Sequence, residues 1–380
     1  MYPLDAPVVG AREIAYLKDC VRRGWLSWQG EYVARLERAF ARYCGARYAM
    51  TVSSGSSALM LALQSLGIGK GDEVIVPALT FSATAFAATL LGASVRFVDC
   101  APGTLTIDPA ALSAAITRRT RAVIAVHLYG RPADMHAVKK AASHRRIAII
   151  EDAAQAAGAE CNGRRAGSIG DAGCFSFHNK LIASGEGGMI VFPSRRSLKR
   201  ARLLRSPAPE NRTAFNGLAM NNRMSNLHAA VALAQLEKLE RTVAGKRRVA
   251  DLYNRRLASV PGIEILPEPL HTRSVYWRYT AFVSSGFPMT RDQLVHFLNS
   301  RAIQTRAIFR PLHLHPVYRG ARQETFPVAE DFSRRGFDLP TSPKLTARDV
   351  DDIVSVIATA ARTRRRSRLK TRRSGAGPEE

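Results

Sequence analysis

The chain has 380 residues, 46% hydrophobic and 23% charged, a globular composition long enough for about two to three domains. No apolar run approaches the roughly 18 residues that cross a bilayer, and "MYPLDAPVVG" lacks the basic-then-apolar pattern of a signal peptide. The cysteines, Cys20, Cys44, Cys100, Cys161 and Cys174, are scattered and in no metal-ligand pairs, which argues against a disulfide framework or a metal site and for a reduced, cytoplasmic protein.

In chain order, "EYVARLERAFARYCG" places Val33, Leu36, Phe40 and Tyr43 three or four apart and predicts a helix. "RYAMTVSSG" predicts a strand running into small residues, and "SSALMLALQSLG" a helix with its stop glycine. The alternation continues through "DEVIVPA", "FSATAFAATLLG", "SVRFVDC", "RAVIAVHL", "ADMHAVKKAASHRR" and "IAIIEDAA". Near-continuous apolar strands separated by helices predict an α/β fold whose mostly parallel sheet is covered on both faces. The strand-like "CFSFH" then leads to Lys180 and the glycines of "GEGG".

After Ser225, "NLHAAVALAQLEKLERTVAGKRRVADLYNRRL" reads as one helical spine. Strands in "YWRYTAFVSS" and "IQTRAIF" and helices in "TRDQLVHFLNSR" and "TARDVDDIVSVIATAA" follow. The expected division is a large domain over 1–250, a smaller C-terminal α/β domain over 251–362, and a basic, disordered tail over 363–380. The formal net charge is +25, and part of it lies in the tail's "RTRRRSRLKTRR". Such a run suits nucleic acid or acidic partners, but no helix-turn-helix or zinc-finger pattern accompanies it, and it reads as a solvated tail.

Open parallel sheets place ligands beyond the carboxyl ends of their strands. Three groups are expected there: the "SSGSS" turn at 53–57, Asp152 closing "AIIED", and Lys180. Backbone N–H groups at a helix start bind phosphate. A buried carboxylate keeps a pyridine nitrogen protonated, and a lysine amine bonds an aldehyde. Together these are the contacts that pyridoxal 5′-phosphate (PLP) needs.

In order along the chain come "GWLSWQGEYVARLERAFARYCGARYAMTVSSGSSALMLAL", "GDEVIVPALTFSATAFAATLLGASVRFVDC", "AVHLYGRPADM", "EDAAQAAGA", "FSFHNKLIASGEGGMIV", "NRMSNLHAAVALAQLEKL" and "PLHLHPVY". This series, spanning about residues 8 to 360, resembles the DegT/DnrJ/EryC1/StrS aminotransferases, most of all members of the GDP-perosamine-synthase type. The resemblance implies a PLP-dependent transferase of fold type I, aspartate-aminotransferase-like, with a mostly parallel seven-stranded sheet and a homodimer with shared active sites. It implies transfer of an amino group from an amino acid, L-glutamate, to a nucleotide-linked keto-sugar, with "GEGG" and His178 leaning towards C4.

Carried over by position, Lys180 is the expected Schiff-base lysine and proton shuttle, and Asp152 the partner of the pyridine nitrogen. Gln155 would contact the ring's phenolic side, and Phe81 would stack on the ring. Gly55, Ser56 and Ser176 would hold the phosphate, Asn221 would reach it from the neighbouring subunit, and His313 would line the sugar pocket. His127 reads as a packed structural histidine. Trp25 and Trp28 either border the site or pack the N-terminal helix.

Three departures accompany the resemblance. "SFHNK" is one residue shorter between serine and lysine than the family's spacing, so either Ser176 turns away or the loop adjusts. Ser56 stands where threonine is common, and Met220 and Asn222 replace aromatics beside Asn221. Two rival readings are a non-catalytic or regulatory relative on the same fold and a PLP-dependent sugar dehydratase. In the dehydratases histidine replaces the lysine, so Lys180 argues against that chemistry.

Overall fold

In the computed structural model, which describes residues 1–143, 145–206, 218–318 and 324–373, the expected alternation of helix and strand is present. Helices α1 (Ala11–Arg22) and α2 (Glu31–Cys44) come first, each entered through a glycine. The face α2 buries is Tyr32, Leu36, Phe40 and Cys44, a straight i, i+4 row. Val33 and Tyr43, expected at its centre, are its half-buried flanks.

The chain continues through β1 (Tyr48–Val52), α3 (Gly55–Ser65), β2 (Glu73–Pro77), α4 (Ser82–Leu90), β3 (Ser94–Val98), α5 (Pro109–Ala115), β4 (Thr120–Val126), α6 (Met135–Ala142) and β5 (Ala148–Asp152). Short strands β6 (Glu160–Cys161) and β7 (Arg164–Arg165) precede β8 (Ala172–Ser176) and β9 (Gly188–Phe192). The seven-stranded sheet has the order β1-β9-β8-β5-β4-β2-β3. Its pairings are parallel except for those of β9, which runs antiparallel to both neighbours. Every residue of β2 and β9 is buried, as expected of strands covered on both faces.

Two elements differ from the sequence expectation. The strand "CFSFH" stops at Ser176, four residues short of Lys180. There the Phe177 N–H bonds the Gly187 carbonyl at 2.9 Å and the Ser184 N–H bonds the Phe177 carbonyl at 3.0 Å, folding the segment into a loop. After α7 (Arg195–Arg205), the expected spine is two helices, α8 (Asn226–Leu236) and α9 (Leu239–Leu257), broken at Lys238. On either side of the break, Gln235 Nε2 and Lys238 Nζ both reach the Val8 carbonyl and buried Glu13, so tertiary pairing replaces helix continuity.

The rest comprises β10 (Ile263–Ile265), β11 (Thr272–Arg273), β12 (Tyr279–Val283), α10 (Arg291–Asn299), β13 (Arg306–Ala307), α11 (Pro327–Arg335), β14 (Gly336–Leu339) and α12 (Ala347–Arg373). An antiparallel sheet forms in the order β10-β12-β14-β13, while β11 joins β6 and β7. One face of the smaller sheet, with Tyr279, Ala281, Val283, Phe337 and Leu339, packs into a core shared with α9, α10 and α12. On the opposite face Phe282 and Ile308 join the core of the large sheet, and Thr280, Asp338 and Arg306 line up in register. That face is therefore part apolar and part polar, and Arg306 on it acts on the Lys180 amine.

Helix α12 continues to Arg373, so the basic run expected as a tail from 363 is helical that far; 374–380 lie outside the described residues. No helix among the described residues is long and apolar enough to cross a membrane.

Candidate active site

The turn from β1 into α3 is built by its serines. Ser54 caps α3, its hydroxyl accepting the Ser57 N–H at 3.1 Å. The Gly55 and Ser56 N–H groups take no partner among the described residues, so they and the helix dipole are free for an anion. A Cβ on Gly55 would lie 2.7 Å from the Ser176 Cβ, so only glycine lets β8 end against this helix start. Ser176 therefore lies beside the turn. In the loop that follows, Asn179 has a φ of +44°, in the left-handed region. The "GEGG" glycines serve this packing too: a Cβ on Gly188 would meet the Phe175 carbonyl at 2.6 Å and the Ser54 carbonyl at 2.7 Å.

Asp152 ends β5, nearly fully buried, with Oδ2 accepting the Thr84 hydroxyl at 2.8 Å and Oδ1 the Ala154 N–H at 3.2 Å. Burial pushes its carboxyl above the usual aspartate value, although both donors and the Lys180 charge act against this. A cation placed at this carboxylate would relieve that penalty.

The Lys180 amine lies 3.7 Å from the centre of the Trp277 ring. Burial first, then the guanidiniums of Arg278 and Arg306, push its pKa down to about 8. Asp152 and Asp5 pull it the other way. A lysine so tuned has a usable neutral fraction near neutral pH.

An aromatic file connects Phe81 to this amine. Phe81, at the start of α4, is 53% exposed. Its ring centre is 5.8 Å from Phe309, which stacks on Tyr129 at 5.3 Å, and Tyr129 stacks on Trp277 at 6.2 Å. Gln155 Oε1 accepts the Tyr129 N–H at 2.7 Å, which fixes the amide beside the file.

Two expected residues stand apart from this cluster. Asn221 is exposed and its Oδ1 takes the Arg223 Nε–H at 2.9 Å. His313 is turned towards α11, with Nε2 3.0 Å from Glu330 Oε1 and its ring edge-on to Phe326. His127 is a structural residue: Nδ1 accepts the Ala133 N–H at 3.0 Å, which leaves the proton on Nε2 for buried Glu151 at 3.0 Å. Trp28 lies under the Arg223 guanidinium at 4.5 Å.

The sequence reading missed Thr84, Asn222, Trp277, Arg278 and Arg306. Asn222 Oδ1 accepts the Ser57 hydroxyl at 3.0 Å and its carbonyl the Ser53 N–H at 2.9 Å, so it braces the α3 turn from within the same chain. Its only signal was the adjacent asparagine pair in "MNNRMSN". Arg306 is held through Nε by Asp338 Oδ2 at 3.3 Å, and the Arg278 guanidinium lies 4.6 Å from the Trp277 ring centre. Among the described residues no cluster could hold a metal ion.

The profile of the DegT/DnrJ/EryC1/StrS aminotransferase family matches residues 7–358. The chain is 39% identical to the GDP-perosamine synthase of Caulobacter vibrioides, over 93% of this chain and 96% of that protein. With the GDP-perosamine synthase of Vibrio cholerae it shares 36% identity over 94% and 98%. Among solved structures, DesV of S. venezuelae, in complex with a ketimine intermediate, superposes with a TM-score of 0.87 at 34% identity, covering 92% and 94% of the two chains. A 3-amino-5-hydroxybenzoic acid synthase superposes with a TM-score of 0.89 at 30% identity, covering 95% and 98%. A profile match across nearly the whole length, with full-length relatives and the fold type I architecture, places the chain in the DegT/DnrJ/EryC1/StrS family of PLP-dependent aminotransferases.

Proposed function

We propose that this chain binds PLP and moves an amino group from an amino acid, L-glutamate, to a nucleotide-linked keto-sugar, with C4 as the aminated carbon. The carrying observation is the amine of Lys180, half-buried against the Trp277 ring and pushed down to about 8. It lies in the electrostatic reach of Asp152, at the sheet edge where the α3 turn offers uncommitted N–H groups. The GDP-perosamine synthases among its full-length relatives support the sugar substrate.

The residues present fit the cofactor. The α3 start, with Gly55, Ser56 and Ser176, would take its phosphate; buried Asp152 would take its ring nitrogen, and the exposed Phe81 face would lie against its ring. Gln155, whose oxygen is committed to Tyr129, would turn its amide hydrogens to the ring oxygen. When bound, PLP supplies the aldehyde that carries the amino group and an electron sink for the carbanion.

Lys180 supplies the proton transfer. Its neutral amine removes the proton from the donor's α-carbon and redelivers it across the site. For the keto-sugar the same amine works in reverse, giving a proton to the carbon that becomes C–N. The buried walls, Trp277 and Tyr129 among them, exclude water from these transfers.

The reading includes a cytoplasmic homodimer. All five cysteines are free and buried, which suits a reducing compartment. Trp25, Leu26, Phe86, Leu90 and Met220 are exposed apolar side chains that a second copy would cover, and exposed Asn221 would then face that copy's phosphate turn. Incubation with PLP, glutamate and a GDP-linked 4-keto-sugar tests the substrate assignment. An aminated nucleotide sugar, identified by mass spectrometry and absent when Lys180→Ala protein is used, is expected. Turnover of glutamate without any such product from a panel of nucleotide keto-sugars would sink the sugar assignment.

A further inference from the structure

We propose that Trp277 is a positioning residue for Lys180. Its indole face holds the amine whenever that amine is not bonded to cofactor, and its ring N–H fixes the bend from which the lysine projects. The inference rests on the reading above in taking Lys180 as the reacting amine.

The geometry is specific. The Lys180 Nζ is 3.7 Å from the ring centre, well inside the roughly 6 Å within which a ring face attracts a cation. The indole N–H donates to the Asn179 carbonyl at 3.1 Å. Asn179 is the residue with φ of +44°, so the bond secures a conformation that a non-glycine residue resists. Trp277 touches the lysine and also holds the backbone directly before it.

The indole is itself immobilised. It is 2% exposed and stacks on Tyr129 with ring planes 11° apart. The backbone carbonyl of Trp277 receives the Thr341 hydroxyl at 3.1 Å and the Lys246 amine at 3.3 Å. A rigid ring is what a lysine needs here, because the free side chain otherwise spreads over many rotamers. In transamination the amine is released and retaken in each half-reaction, so a defined resting place shortens its return.

The ring also acts on charge. Asp152 on β5 and Asp5 in the N-terminal segment favour the ammonium; Arg278, beside Trp277, and Arg306 on β13 disfavour it. Lys246 on α9 is turned to Thr341 and Asp5. The indole face joins the two acids, since a ring quadrupole attracts the ammonium and not the neutral amine. Trp277 thus offsets part of the burial and arginine effects.

The test uses full-length protein freed of cofactor. Acetylation of the Lys180 peptide by acetic anhydride is followed by mass spectrometry across pH 6 to 11. In Trp277→Leu the ammonium loses its ring, and the Lys180 rate at pH 6 should rise about three- to tenfold as the titration moves to lower pH. Trp277→Phe keeps a weaker aromatic face and should fall between that variant and the parent. A purely structural role would alter melting without moving the pH profile. Rates at or below the parent's in the variants that fold, shown by circular dichroism, would overturn the proposal. Because no cofactor is present, that outcome is distinguishable from failure of the aminotransferase reading, which shows instead as the absence of a cofactor band.

Discussion

Thr84 donates its hydroxyl hydrogen to Asp152 Oδ2 at 2.8 Å, with Thr80 behind it at 2.9 Å from the Thr84 hydroxyl. The carboxylate at the end of β5 is thus aimed by a side chain from the start of α4, the helix that also carries Phe81 at its entrance. Thr84→Val keeps the shape and removes the donor. A hydrogen bond to a charged group is worth about 1.5–3 kcal/mol, so PLP affinity, read by absorbance titration, should fall at least about tenfold. Unchanged affinity would mean that Asp152 does not hold the cofactor.

Asn222 and Ser57 make a second prediction, about phosphate. Their hydrogen bond at 3.0 Å braces the α3 turn without using the Gly55 and Ser56 N–H groups. Ser57→Ala and Asn222→Ala should each weaken PLP binding by about five- to tenfold, the worth of one net hydrogen bond. Binding of pyridoxal, which lacks the phosphate, should change little. Equal losses for both compounds would show that the turn holds something other than phosphate.

The Lys180 pKa carries a pH prediction with a definite sign. Its folded value, about 8, lies below the ordinary 10.5. Between those values the unfolded chain binds more protons than the folded one, so the Lys180 contribution to stability rises with pH across that window. Lys180→Met should therefore raise the melting temperature of cofactor-free protein at pH 7 and lose that advantage near pH 10.5. Arg306→Gln removes one depressing charge and should move the pH dependence of PLP capture towards alkaline pH. A shift in the acidic direction would contradict the electrostatic account.

His127 and Glu151 supply the structural contrast. Glu151 is fully buried, and besides His127 it accepts the N–H groups of Gly167, Ile169 and Gly170. Glu151 keeps those three donors without His127, so the loss is that of one hydrogen bond to a charged group, about 1.5–3 kcal/mol. His127→Leu should lower stability to urea by that order. Where the protein is folded it should still show the cofactor band, because the His127 ring bonds Glu151 and Ala133 and none of the residues placed at the cofactor. Loss of the band in folded protein would give His127 a role that its hydrogen bonds do not.

The large sheet was legible because its strands are apolar runs of about five residues separated by helices, a local pattern that survives folding. Asp152 and the α3 turn were legible for the same reason: each closes or opens a regular element. What stayed hidden depends on residues far apart in sequence. Asn222 meets Ser57 across 165 positions, and the Trp277 N–H meets the Asn179 carbonyl across 98; no periodicity encodes either. The strand before Lys180 was read too long because "CFSFH" keeps strand-like composition past Ser176, whereas the hydrogen bonds that end it come from Gly187. The spine over 226–257 was read as continuous because Gln235 and Lys238 are good helix formers, and only their pairing with Glu13 reveals the break. Arg278 and Arg306 looked like two of many cations until the register with Asp338 placed their face towards the amine.

The central claim, that Lys180 is the amine that receives the cofactor, is tested most directly by the near-visible absorbance of purified protein with PLP before and after L-glutamate. The account predicts a band that forms on adding PLP, converts to the pyridoxamine form with glutamate, and is absent from Lys180→Ala. A protein that forms no band, or a Lys180→Ala variant that forms and converts it as the parent does, would contradict it.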